Sequence, residues 1–332
     1  MNKALFLYFG ILFLGVSCSK KKIKNDPTTF SKPNQVTVLI DDPLWNGEVG
    51  DTLRNTLAAP FLGLPQEEPV LSLNQYPVKL LEGFTSNSRN IIIIKREDKS
   101  QIRFQENEYA NPQIVVHISG RSVQELLDSI HQNDSLIIKR IKESEIKVYQ
   151  QWLKRDTLMN TEKIAERFGI SLDIPARYRM VMGGKRFIWL KKEITSGNLS
   201  LVFYQLPLSV LKNKKINPRK IIKIRDSIGR IYIHGAVPRT YMMTEKAFTP
   251  YQTETQIYKH TAFETRGTWE LSHDFMGGPF INYAIIDQAN QRVIFIEGFC
   301  YAPSKKKRDL LFELEAIIRS TRFLKTNHGN KV

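Results

Sequence analysis

The chain has 332 residues, with 49 Lys and Arg against 33 Asp and Glu, a formal charge of +16 and 42% hydrophobic residues. That length suffices for two modest domains or one large one. Two cysteines, Cys18 and Cys300, leave no disulfide framework, and G-x-S-x-G, H-E-x-x-H, G-x-G-x-x-G and C-x-x-C are all absent, so the locally spaced catalytic motifs are excluded.

Lys3 precedes an apolar run at 4–16, a length that fits a secretory signal and is too short to span a bilayer comfortably. Gly15, Val16 and Ser17 before Cys18 resemble a bacterial lipobox, which implies acylation of Cys18 and removal of residues 1–17 as a signal peptide. An ordinary cleaved signal with an incidental cysteine is the alternative. Residues 18–33, beginning "CSKKKIKNDP", are polar, basic and proline-punctuated, and predict a flexible tether. Surface-exported Bacteroidota lipoproteins carry acids just after the cysteine. The lysines here imply an outer-membrane anchor facing the periplasm. Cys300, inside "VIFIEGFCYAP", reads as a buried strand residue.

"QVTVLI" (35–40) predicts a strand, 46–59 a helix ended by Pro60, and "PVLSLNQY" an alternating strand. "NIIIIK" (90–95) and "QIVVHISG" (113–120) are apolar runs of buried strands. Ser122 and Glu125 form a capping box, and Asp134 or Ser135 begins a second helix. "TEKIAERFG" is a third, closed by Gly169. An N-terminal α+β half over 34–133 and a helical connector over 134–169 follow.

From "ISLDIP" onward, strands are predicted at "KRFIWLKKE", "LSLVFYQLP" and "RIYIHGAV". A hairpin joins "PFINYAIID" to "RVIFIEGFCYA", and a helix from about Lys307 carries Leu310, Leu311, Leu314, Ile317 and Ile318 as one apolar stripe. The fold class is α+β, with two sandwich-like halves of mainly antiparallel sheet. "LDIP", the antiparallel strands and the final "IIRSTRF" resemble the PsbP-like α/β/α sandwich over 170–324, leaving 325–332 as a disordered tail. In order, "DDPLWNGEVG", "LPQEEP", "RNIIII", "FIWLKKE", "YIHGAVPRTYM", "RGTWE" and "GGPFINY" resemble an uncharacterised family of Bacteroidota lipoproteins. This resemblance implies an envelope location and a two-part fold, and no activity.

Between 177 and 225 there are thirteen Lys or Arg and one acid, Glu193. In the cytosol this would suggest nucleic acid. For a periplasmic protein the partners are the membrane, anionic lipid, lipopolysaccharide or wall polymer, and other envelope proteins, with no nucleic acid. Lys212, Lys214, Lys215, Arg219 and Lys220 form the candidate anion-binding surface; a solvated basic face is the bland alternative. Lys305, Lys306, Lys307 and Arg308 at the start of the last helix oppose its dipole and suggest a functional surface, unless the helix begins at Asp309.

Arg266, Trp269, Glu270, Gly277 and Gly278 form the candidate ligand site: a guanidinium clamp, a stacking face, an acceptor and backbone N–H groups near an anion. The alternative is a salt bridge, a core tryptophan and turn glycines. No cofactor, metal or catalytic residue is assigned. "LPQEEP" reads as an exposed turn. Asp-Ser/Thr-aliphatic triplets occur at 51, 128, 134, 156 and 226, where composition alone predicts about one. The triplet resembles a Bacteroidota O-glycosylation signal, with Thr157 the candidate and helix capping the alternative. These readings predict a non-catalytic, membrane-tethered binding or assembly module. The other reading is a hydrolase or transferase on an envelope glycan or lipid using residues 266–280.

Overall fold

The computed structural model describes residues 32–211 and 216–324, together with a two-residue strand, β1 (Lys24–Asn25). The expected signal peptide, Cys18, lysines 212, 214 and 215 and the expected tail at 325–332 lie outside the described residues, as does most of the expected tether. The fold is α+β, with 29% helix and 38% strand among the described residues and two sheet-rich parts joined by a helix. Among the described residues no helix is long and apolar enough to cross a membrane.

The first part runs β2 (Gln35–Leu39), α1 (Asp42–Trp45), α2 (Glu48–Leu57), β3 (Ser72–Tyr76), β4 (Asn90–Arg96), β5 (Gln101–Glu106), β6 (Ala110–Asn111) and β7 (Ile114–Gly120). β1, which falls inside the expected tether, pairs with β6. The five-stranded sheet has the order β3-β2-β4-β7-β5. Although the sheets are mostly antiparallel over the whole chain, only β5 is antiparallel here. Alternation explains the unbroken "IIII": Ile92 and Ile94 face the helices, while Ile91 and Ile93 enter a smaller cluster with Leu39 and Val115.

α3 (Val123–Leu153) is one helix of 31 residues, about 46 Å long at 1.5 Å per residue, and not the two expected. Ser122 caps it by accepting the Glu125 N–H, and Glu125 reaches back to the N–H of Arg121. Asp134 and Ser135 bond to each other without breaking it. No Gly or Pro interrupts 122–153, and Leu126, Ile130, Ile137 and Ile141 are continuously buried. Its C-terminal third leaves this sheet: Ile146 and Tyr149 pack on Phe312 and Ala316, and Leu153 enters the second core.

The second part runs α4 (Glu162–Phe168), β8 (Ile170–Ser171), β9 (Arg179–Gly183), β10 (Phe187–Ile194), β11 (Gly197–Pro207), α5 (Pro218–Tyr232), β12 (Met242–Thr244), β13 (Tyr251–Ile257), β14 (His260–Leu271), β15 (Gly277–Asp287), β16 (Arg292–Tyr301), α6 (Arg308–Ile318) and β17 (Arg322–Phe323). Gly169 closes α4 with φ 62°. Seven antiparallel strands follow the order β12-β14-β15-β16-β11-β10-β9, and β13 also pairs with β14. α6 covers the face bearing Ile281, Tyr283, Ile294 and Ile296. α5 covers the face bearing Phe280, Phe295 and Phe299. Cys300 is buried, and burial pushes its thiol up to about 12, so it stays neutral.

"RIYIHGAV" is not a strand: its first three residues end α5. The Asn217 side chain accepts the Lys220 N–H, Pro218 stands in the first turn, and Ile221, Ile224 and Gly229 are buried at helical spacing. Tyr232 then stacks on Phe187 at 4.3 Å.

"LPQEEP" is exposed at Pro65, Gln66 and Glu67, and Lys305 and Lys306 before α6 are exposed, but Glu68, Lys307 and Arg308 are buried together. Glu68 is 5% exposed and accepts the N–H of Lys307 at 2.5 Å and of Arg308 at 3.2 Å. A carboxylate from the first part thus caps the last helix and offsets the dipole conflict. Arg308 continues the junction, donating to Pro69 O at 2.8 Å and Ser72 Oγ at 2.9 Å. Glu68→Ala is expected to cost about 2 kcal/mol in urea unfolding, and Glu67→Ala, whose side chain is exposed, less than about 0.5 kcal/mol.

Candidate functional site

Strand parity splits the expected site. Along β14, Ala262 faces the α6 core while Phe263, Trp269 and Leu271 face the α5 core. Residues of opposite parity stand on opposite faces of a sheet, so Arg266 and Trp269 cannot share a ligand. Glu270 has the parity of Arg266 but lies about 13 Å further along the strand. Trp269 is 4% exposed, and its Nε1 donates to Cys300 O at 3.3 Å, which leaves no face for a sugar. Gly277 and Gly278 are paired within the sheet, opposite Glu270 and Trp269. A Cβ on Gly278 would stand 2.1 Å from Cys300 O, so close strand approach requires this glycine.

Arg266 belongs instead to a buried ionic group at the junction. Its Nε donates to Glu264 Oε1 at 2.5 Å and its Nη2 to Glu315 Oε2 at 2.7 Å. Tyr283 donates to Glu264 at 2.6 Å, and Lys142 of α3 approaches Glu315 at 3.4 Å. The Phe61 ring lies 5.0 Å from the guanidinium and 5.5 Å from the ammonium. Burial alone would raise the Glu315 carboxyl, but Arg266 and Lys142 hold it at about 2. Burial, with Arg266 nearby, lowers Lys142, and burial beside Glu264 raises Tyr283 far above the usual phenol range. Across the sheet, Arg225 pairs with Glu297 at 2.9 Å, and its guanidinium lies 3.9 Å above Phe280. These groups neutralise one another inside packed protein. Among the described residues, no three His, Cys, Asp or Glu side chains are grouped to hold a metal ion.

The basic stretch divides between interior and surface. Arg225 is buried, and Lys192 pairs with Glu313 at 2.5 Å. Arg219 and Lys220 are exposed in the first turn of α5. A groove of about 1020 Å³ lies between the C-terminal end of α3 and the outer strands β9 and β10. Trp152, Arg177, Arg179, Val181 and Lys191 line it, and Thr157 stands exposed beside them. Arg177 lies 6.0 Å from the Trp152 ring and pairs with Asp156 at 3.1 Å; Lys191 pairs with Glu193 at 2.8 Å. Thr157 is fixed at both backbone ends, by the Asp156 carboxylate on its N–H and the Ala176 N–H on its carbonyl. An aromatic plane beside cations suits an anionic ring-bearing ligand. Sequence reading missed the groove because α3, the Asp156–Arg177 segment and two strands supply it at separated positions. The one local signal was alternation in "RMVMG", where Arg179 and Val181 share a side of an edge strand.

The fold and these sites define a two-part α+β protein with a buried ionic group at its junction and a groove bearing cations beside one sheet edge. Residues 30–154 match a domain of unknown function, DUF8532, and residues 157–320 match a second, DUF4837. Together the two matches fit an uncharacterised family. Their division falls just after Leu153, at the end of α3. No curated protein matches the chain. Among solved structures, LpqN, involved in cell envelope biogenesis of Mycobacterium tuberculosis, is similar over 46% of this chain and 81% of LpqN, at 11% identity and a TM-score of 0.28. Human StAR-related lipid transfer protein 5 is similar over 53% of this chain and 97% of its own, at 9% identity and a TM-score of 0.24. At these TM-scores the likeness does not establish a shared fold.

The depressed Glu315 carboxyl sets an acid dependence. Its stabilisation is complete above the ordinary value of 4.5 and is lost as pH falls through about 2. Glu315→Gln leaves Arg266 and Lys142 less neutralised, and is expected to cost about 3–5 kcal/mol at neutral pH. In denaturant titrations at stepped pH, the variant should fall less steeply than the parent protein between those two values.

Proposed function

We propose that this protein is a non-catalytic envelope lipoprotein, anchored through Cys18 at the periplasmic side of the outer membrane, that binds anionic saccharide polymer in the groove between α3 and β9. The observation carrying this reading is the convergence of Trp152, Arg177, Arg179 and Lys191 on one open groove, whose acids Asp156 and Glu193 offset part of that charge. The 266–278 region, by contrast, is divided between two filled cores. The lipobox-like "GVSC", the lysines after it and the resemblance to Bacteroidota lipoproteins support the anchor. The ligand chemistry is phosphate or carboxylate on a sugar backbone, as in lipopolysaccharide or a wall polymer. Stacking on Trp152 supplies contact area and the cations supply selectivity. Arg219 and Lys220, with lysines 212, 214 and 215, extend the positive field and favour encounter with such polymers.

Metabolic labelling with an alkyne fatty acid should mark the protein, and Cys18→Ala should abolish the label; a labelled Ala variant would refute the anchor. For the groove, Arg179→Ser with Lys191→Ser is expected to weaken binding to purified lipopolysaccharide roughly thirtyfold, at about 1 kcal/mol per engaged cation, and to flatten its salt dependence. Unchanged affinity would overturn the groove reading. So would a hexose-sized increment on Thr157 in the intact mass of native protein, because that glycan would itself stand in the groove.

A further inference from the structure

Three segments meet at the β12 end of the large sheet and present apolar side chains outward. Ile231 in the last turn of α5 is 60% exposed, and Val237 in the loop at 234–241 is 50% exposed. Phe275, at the turn between β14 and β15, is wholly exposed. Ala236 and Pro238 beside Val237 are exposed as well. Single exposed hydrophobes are ordinary, but several on one fixed end of a molecule mark an interaction surface.

The segments are held together. Ser272 donates its N–H to Tyr241 O at 2.9 Å, and the Tyr241 N–H donates to Ser272 Oγ at 3.1 Å. Met242 N–H reaches Ile233 O at 2.9 Å. Arg230 donates to the Tyr241 hydroxyl at 2.9 Å, with its guanidinium 4.8 Å from the same ring. The apolar tip is therefore displayed by a bonded framework.

Charge identifies the occupant. No acid occurs between Asp226 and Glu245, whereas Arg230, His234 and Arg239 all lie there and are exposed, with exposed His273 on the neighbouring turn. Asp274, the acid beside the tip, uses its carboxylate to accept the Phe275 N–H at 2.7 Å. A fully exposed phenyl ring and aliphatic side chains, with exposed Arg230 and Arg239 in the same segments, match the boundary between acyl chains and anionic headgroups. We propose that this end of the protein docks on an anionic lipid bilayer, with Phe275, Val237 and Ile231 entering the interface and Arg230 and Arg239 meeting lipid phosphates. The contact is separate from the α3–β9 groove and independent of acylation at Cys18, so either of those readings can fail without it.

The full chain is mixed with vesicles of phosphatidylcholine alone or with added phosphatidylglycerol, and hydrogen exchange is followed over 229–243 and 270–278. An anchor or leader binding either vesicle does not move this readout, which is local. Exchange in both segments is expected to slow on anionic vesicles only. Phe275→Asp, an exposed position that leaves the core intact, and the double variant Arg230→Ser with Arg239→Ser should each lose the protection. Phe275→Trp should be quenched by brominated lipid. Equal protection on neutral and anionic vesicles, no protection, or protection that survives Phe275→Asp overturns the proposal. Protection that rises with protein concentration in the absence of lipid marks a second copy as the occupant and overturns it too.

Discussion

Glu145 is 2% exposed on α3, and its carboxylate accepts from the Asn34 N–H, from Arg89 Nε at 2.9 Å and Nη2 at 2.8 Å, and from Asn90 Nδ2 at 2.6 Å. One turn earlier, Lys142 points to Glu315 of the other part. The helix thus changes partners across these charged residues, Ile141 belonging to the first core and Ile146 to a small cluster with Phe312 and Ala316 of α6. Buried ion pairs add little compared with apolar packing, but removing one partner is expensive. A displaced docking of the two parts would leave Lys142 without Glu315 and would strip the Phe61 ring from the Arg266 guanidinium. The junction therefore selects one arrangement, and Glu68 on the α6 N-terminus and Arg308 on Pro69 O repeat the logic at a second point.

What the sequence makes legible follows from how local each signal is. "NIIIIK", the hairpin strands and the α6 stripe carry their period within a few residues, and all three elements form where expected. Asp134 and Ser135 have capping chemistry, but a cap begins a helix only where the preceding residues leave it, and Ile130 and Ile137 are buried on one continuous face. In "RIYIHGAV", the apolar alternation is short enough to fit either period, and the Asn217-Pro218 start decides for helix. Residues 266 to 278 mislead for a related reason. Proximity in sequence suggested one site, yet the strand period sends neighbours to opposite faces. Glu68 and Glu145 act on partners more than fifty residues away, and no window of sequence contains those pairings.

Not all of the 49 Lys and Arg contribute to the surface field. Arg89, Arg225, Arg266 and Arg308 are all less than a tenth exposed, each held by carboxylates, aromatic faces or carbonyls. Arginine suits this use because its planar fork makes several bonds at once and is weakly hydrated. Cations spent this way do not attract polymer or lipid. Exposed cations do lie beside the groove, at the N-terminus of α5 and in the segments that carry the Phe275 tip.

The sheet order then separates the two open surfaces. β9, which lines the groove, and β12, which carries the tip, are the two ends of the strand path. Six spacings of about 4.8 Å place them roughly 30 Å apart across the sheet. A bilayer contact at the β12 end therefore does not compete for the space a polymer would occupy at the β9 end. The sheet between them is packed on both faces, so the separation is rigid. A protein built this way can hold a surface with one edge and a soluble chain with the other, without either contact requiring the fold to change.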